Sequence, residues 1–280
     1  MLELQLFRIR VLPSIQRELF AREMSRPEIL KTVLESRPVS RLGTGQGWHV
    51  GNVTNVESGG MYFRLGRTTT STIETYDEEK GVFLDQQFAT APYTHVMLDL
   101  QIEVCGIAKK TKLSATTSGI ARQLSHLLND SQVAAELRAE FEIDGLKDPE
   151  DFISQLRGAF SVMKFAVSIS RPNAFDKDDF VKPLQKMVEA SNADKGKVEV
   201  KGKDLDPRVL EVMTRSAAST GDDASARLQA DKDERPVTKH LKGSVAVVRQ
   251  ESVENAEERR ELLEQIRRLY RRIRGMDGSV

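Results

Sequence analysis

Residues 93–113 read YTHVMLDLQIEVCGIAKKTKL, and the fold turns on how this stretch is parsed. Val96, Leu98, Leu100, Ile102 and Val104 alternate with His95, Met97, Asp99, Gln101, Glu103 and Cys105. Successive side chains of a strand point to opposite faces, so the spacing predicts one long strand with an apolar face and a mostly polar one. The strand runs out into Lys109, Lys110 and Lys112 and then into a helix, with residues 114–117 as its cap and Ile120, Leu124, Leu127 and Leu128 as its buried stripe.

Upstream, Leu2, Leu4 and Leu6 and then Phe7, Ile9 and Val11 read as a first strand with one slip of phase, ended by Pro13. Residues 14–20 read as a helical turn or two. Pro27 opens a helix that buries Ile29, Leu30, Val33 and Leu34, and Pro38 closes it. Gly43, Gly45 and Gly47 suggest a phosphate loop, but no Gly-Lys-Ser/Thr ending follows, and Trp48, Val50 and Val53 continue as a strand. Ser58, Gly59 and Gly60 mark a hairpin turn into a strand on which Met61, Phe63 and Leu65 alternate with Tyr62, Arg64 and Gly66. The hydroxyl run 68–72 beside Arg64 and Arg67 reads as an exposed β-edge or loop that could also bond phosphates. A polar turn at 77–81 leads to a short strand at 82–84. This first part is expected to hold a mixed sheet of about five strands with two or three helices.

Downstream, strands are expected at 139–143, 160–169, 198–200, 224–228 and 245–248. Helices are expected from the Asp148–Pro149–Glu150 start through Leu156, at 176–191 with Phe180, Leu184, Met187 and Val188 inward, and at 207–214. Pro183 kinks the second of these helices or marks its true first turn. Residues 219–223 read as a turn and residues 232–242 as a polar loop. A terminal helix over 253–274 carries Leu262, Ile266, Leu269 and Ile273 at heptad-like spacing, with acids at its start and arginines at its end. The reading is an α+β protein of two domains, 1–130 and 131–280, each a mixed sheet with packed helices, the second ending in the long basic amphipathic helix.

The chain has 280 residues, with 42 Lys+Arg against 42 Asp+Glu. A globally basic nucleic-acid binder is excluded, and any charged surface must be made by folding. The single cysteine, Cys105, excludes an intramolecular disulfide and a thiolate metal cluster. No apolar run reaches the length of a membrane span, and residues 1–11 do not resemble a signal peptide, so a cytosolic location is expected. His49, His95, His126 and His240 lack metal-ligand spacing. No catalytic residue, metal or cofactor is assigned. Asp204 and Asp206 with Lys201 and Lys203 come nearest to a metal-dependent nuclease.

Basic clusters carry the functional expectation. Lys109, Lys110 and Lys112 follow the strand, and Lys197, Lys201 and Lys203 share a face near 198–200. Such groups neutralise phosphates without reading bases. In length, in the glycine-then-strand hairpin at 45–65, in the apolar strand with a basic exit at 94–113, in the strand–helix unit at 160–191 and in the terminal helix, the chain resembles the RexA-like phage-exclusion proteins of lambdoid prophages. The resemblance implies a two-domain α+β protein that dimerises and binds DNA without strong sequence preference, acting in phage exclusion with a membrane-protein partner. The expected function is therefore non-enzymatic DNA binding through Lys109, Lys110, Lys112, Lys197, Lys201, Lys203, Arg64 and Arg67. Self-association is expected through Leu262, Ile266, Leu269 and Ile273. The alternatives are a metal-dependent nuclease and a protein-docking adaptor.

Overall fold

A computed structural model describes residues 1–13, 24–42, 46–170, 181–191, 193 and 195–276. Expectations for 14–20, for Gly43 and Gly45, and for 176–180 lie outside these residues. The protein is α+β and ends in a long helix. Its chain divides into two compact units, each built from separated segments. The first comprises Met1–Leu4, Val11–Ile143 and Arg249–Arg260, and the second Gln5–Arg10, Asp144–Val248 and Glu261–Val280.

Elements of the first part are β1 (Leu2–Pro13), α1 (Arg26–Glu35), β2 (Val39–Leu42), β3 (Gln46–Val56), β4 (Gly60–Arg67), β5 (Thr69–Asp77), β6 (Val82–Thr90), β7 (Tyr93–Asp99), β8 (Val104–Ala108), α2 (Thr117–Asn129), α3 (Gln132–Glu136) and β9 (Ala139–Gly145). Then follow α4 (Glu150–Gly158), β10 (Ser161–Ser170), α5 (Lys182–Ala190), β11 (Lys195–Lys201), α6 (Pro207–Thr220), β12 (Ala224–Gln229), β13 (Val237–His240), β14 (Val247–Gln250) and α7 (Ala256–Arg274).

The stretch 93–113 is not one strand. It folds back on itself as β7 and β8, antiparallel, with Val96 opposite Ile107 and Asp99 opposite Val104. Asp99 makes the turn. Its buried carboxylate accepts the backbone N–H groups of Gln101 at 2.8 Å and Ile102 at 3.2 Å, and Glu103 takes a left-handed φ of 53°. A short acid that captures the next amides offers the backbone a turn in place of a ladder, and it wins here over unbroken alternation. The expected polar face is also wrong in part, since Met97, Asp99 and Cys105 are as buried as Val96 and Leu98.

The sheet is larger than the five strands expected. Its eight strands run β14-β1-β8-β7-β4-β3-β2, with β9 on β1, and the pairings from β2 to β8 are antiparallel. Helix α1 buries the expected Ile29, Leu30, Val33 and Leu34, and α2 is capped by the Thr116 hydroxyl, which accepts from Gly119 N at 3.1 Å. The hydroxyl run becomes β5, and its partner β6 reaches Thr90 rather than stopping at 84. The two strands form a separate ribbon.

In the second unit the sheet order is β11-β10-β12-β13, and it is antiparallel throughout rather than mixed. Strand β13 lies inside the expected polar loop at 232–242. Helix α5 starts at Pro183's turn, as one of the two readings of that proline had it, but Met187 is exposed. Helix α6 continues to Thr220 and ends at Gly221, whose φ of 81° suits only glycine. A Cβ there would stand 2.6 Å from the Asp144 Cβ. The buried side of α7 is Leu262, Leu263, Ile266, Tyr270 and Ile273, an ordinary globular stripe rather than a coiled-coil seam. Leu262, Ile266 and Ile273 are thus already covered within the chain and offer a second copy no free surface.

Candidate nucleic-acid interface

The pairing of β4 with β7 sets Arg64 opposite His95, Tyr62 opposite Met97 and Gly66 opposite Tyr93. Paired residues share a face, so Tyr62 and Arg64 on one strand and Tyr93 and His95 on the next project to the same side. Gly66 leaves the place opposite Tyr93 empty of side chain. A Cβ there would lie 2.7 Å from the Pro92 carbonyl oxygen and 3.0 Å from the Tyr93 Cβ.

These side chains bond to one another. Arg64 Nε donates to the Tyr62 hydroxyl at 3.3 Å, and that hydroxyl lies 2.8 Å from His95 Nδ1. The hydroxyl and Nδ1 share one hydrogen bond, whose donor is set by the tautomer of the imidazole. The Arg64 guanidinium stands 4.5 Å over the Tyr93 ring, and His95 meets the same ring edge-on at 5.6 Å. Arg64 Nη2 also donates to the Glu254 carboxylate at 3.0 Å. Arg259, anchored on the Val253 and Glu254 carbonyls, covers the buried Tyr62 ring at 4.1 Å. Tyr93 itself stays 40% exposed, which leaves ring surface for a ligand to stack on.

The electrostatics follow from this packing. Burial pushes the His95 imidazole below its ordinary range; Arg64, Lys110 and Arg259 push it further down, against the opposing pull of Glu254. His95 is therefore neutral at pH 7. Arg64 is held above its ordinary value, chiefly by its hydrogen bond to Tyr62.

The basic turn expected after the strand joins this face. Arg67 Nη2 donates to the Lys112 carbonyl at 3.3 Å, across 45 residues of sequence. Lys110 is near enough to act on His95. The side chains of Lys109, Lys110 and Lys112 are exposed and carry no hydrogen bond or ion pair among the described residues. A groove of about 510 Å³ opens between residues 54–57 and the start of α7, but Glu57 and Glu257 match Arg259 and Arg260 in its lining, so it is not a basic site.

The lysines of the second unit are less free. Lys201 and Lys164 bracket the exposed Glu199 at 3.0 and 2.8 Å. Hydrogen bonds from Lys164 and then Lys201 hold that carboxyl down at about 2. Glu199 falls between Lys197 and Lys201 on the strand face that alternation assigned to lysine. Lys197 and Lys203 remain exposed and without an ion pair among the described residues. The carboxylates of the nuclease alternative have structural tasks. Asp204 accepts from the Val162 amide at 3.3 Å, and Asp206 caps α6 through Arg208 N at 2.9 Å. Among the described residues no group of three or more His, Cys, Asp or Glu side chains could hold a metal ion.

Sequence reading missed Tyr62, Tyr93, His95, Glu254 and Arg259. Alternation already assigned Tyr62 and Arg64 to one face of their strand, but only the β4–β7 register sets them beside Tyr93 and His95. No protein-family pattern matches the chain, and no curated protein matches it either. No helix of the described residues is long and apolar enough to cross a membrane.

Proposed function

We propose that this protein is a non-enzymatic, sequence-tolerant nucleic-acid-binding protein that acts in phage exclusion. Arg64, Arg67, Lys109, Lys110 and Lys112 are its phosphate contacts, and Tyr93 is a stacking surface for an exposed base. One observation carries the reading. Arg67 grips the carbonyl of Lys112, so the cations of two segments 45 residues apart in sequence come to one place. The three lysines there are not neutralised by neighbouring acids among the described residues. Ammonium groups without acid partners release counterions from a phosphate backbone at no cost in broken ion pairs. Lys197 and Lys203 add secondary contacts, and Lys201, tied to Glu199, adds least.

The test is fluorescence anisotropy with labelled single strands and duplexes of unrelated sequence, titrated across salt. Binding is expected to be similar for all sequences and to fade as salt rises. Replacing Lys109, Lys110 and Lys112 together with Ala should weaken every probe alike. The salt dependence on duplexes should flatten by about 0.9 in slope for each phosphate that is no longer neutralised. Unchanged affinity, or no retention at low salt, overturns the assignment.

A further inference from the structure

We propose that the ribbon of β5 and β6 is a self-association arm through which two copies of this chain pack face to face and antiparallel. The ribbon is paired from Thr69 opposite Thr90 to Asp77 opposite Val82. At ~3.3 Å per residue each arm is about 30 Å long. Two strands alone are marginal in water, and no other strand of the described residues joins them.

The two faces differ in chemistry. Directly paired residues share a face, which groups Ile73, Val82, Leu84 and Phe88 on one side. All four are exposed, Ile73 by 47% and Phe88 by 42%. Their neighbours Ser71, Thr75 and Gln86 are uncharged, and the face's one acid, Asp77, is paired with Lys80 at 3.5 Å. On the opposite side Glu74 stands directly across from Asp85, next to the Tyr76–Phe83 ring pair. The first face can be covered by apolar surface, whereas the second would strand two carboxylates.

The ribbon is also polar along its length, and this selects the occupant. Its tip carries Asp77, Glu78 and Glu79 with a single Lys80. Its root continues into Arg67 and, through the Arg67–Lys112 hydrogen bond, into Lys112. The acidic tip repels nucleic acid. A second copy, turned about a two-fold axis that lies between the two faces and runs across the strands, meets both demands with one surface. Apolar face lies on apolar face, and the Glu78 and Glu79 tip of each copy reaches the Arg67 and Lys112 root of the other. A face about 30 Å by about 10 Å is the size of a weak interface rather than an obligate one, so the dimer is reversible and salt-sensitive. The dimer uses Arg67 and Lys112, which the proposed phosphate face also uses, so nucleic acid competes with it; sedimentation is run without nucleic acid, and the anisotropy titration tests binding separately.

Sedimentation velocity on the full chain, over a concentration series at low and moderate salt, is the test. A monomer–dimer equilibrium weakened by salt is expected. Phe88→Asp and Ile73→Asp should each weaken it by about tenfold or more, the effect of taking one apolar side chain out of a buried interface. Phe83→Asp, on the acidic face, should leave it unchanged. Glu79→Lys should weaken it, and Lys112→Glu in the same chain should restore it. Circular dichroism checks the fold, and the tip and root substitutions keep the test decisive if an apolar-face variant disturbs the ribbon. A chain that stays monomeric at every concentration, or a dimer indifferent to Phe88 and Ile73, or one broken equally by Phe83→Asp, overturns the proposal.

Discussion

The Arg64 guanidinium is shared between the Tyr93 ring, 4.5 Å beneath it, and the Glu254 carboxylate at 3.0 Å. The acid is mostly solvent-exposed, so the pair adds little to folding, in the range of about 0–1 kcal/mol for such surface contacts. It does lower the positive charge of the proposed phosphate-binding face. Glu254→Gln is therefore expected to raise affinity for single-stranded and duplex probes by up to about fivefold at low salt, with the melting temperature nearly unchanged. Anisotropy at fixed salt measures this; an unaltered affinity would place Arg64 outside the contact surface.

Acidification should destabilise the first unit through His95. Its pKa is lowered on folding, mainly by burial. A base in that position binds more protons unfolded than folded, so stability is full above its ordinary value near 6.5 and is lost as pH falls below it. Urea midpoints measured from pH 7.5 down to 5 should fall, and His95→Gln should fall less over the same range. Equal slopes for the two chains would contradict this.

Gly66 lies where the site's own strand pairing leaves no room. Gly66→Ala drives a methyl group against the Pro92 carbonyl oxygen and the Tyr93 Cβ. A cost of about 1–3 kcal/mol is expected, the usual range for overpacking against backbone. Nucleic-acid binding should weaken in parallel, because the displaced residue is Tyr93. Thermal unfolding read beside anisotropy checks both effects.

Asp99 holds the reversal between β7 and β8. Asp99→Ala frees two backbone N–H groups that the carboxylate now accepts, at an expected cost of about 1–3 kcal/mol. Asp99→Asn, which keeps an acceptor, should recover most of it. Chemical denaturation of the three chains would reject the assignment if Ala and Asn behaved alike.

Much of the local architecture could be read from residue order. The apolar stripes of α1 and α2 and the turn at residues 58–60 stand where spacing and turn chemistry put them, and Pro183 takes the second of its two readings, the first turn of its helix. The reading failed where two local signals competed. Through 96–104 the alternation of apolar residues argued for a strand and Asp99 argued for a turn. The register shifts the phase of alternation across the hairpin, putting Val104 on the face of Asp99, but both faces of β7 and β8 are buried and carry apolar residues, so the pattern of residues does not show the reversal. At the terminal helix, heptad-like spacing and a globular stripe differ by less than one residue per turn, and only burial of Leu263 and Tyr270 distinguishes them.

The candidate site divides along the same line. Residue order alone determined which side chains are cationic, that Arg64 shares a strand face with Tyr62, and that the net charge is zero, because these are matters of composition and period. Only the tertiary structure decided that Arg64 faces His95, that Arg67 holds the turn of Lys112, and that Lys201 is matched by Glu199 while Lys109 and Lys110 have no such partner among the described residues. Strand register and long-range side-chain contacts are set by how whole elements pack, and a one-residue shift in either strand would have reversed every face involved.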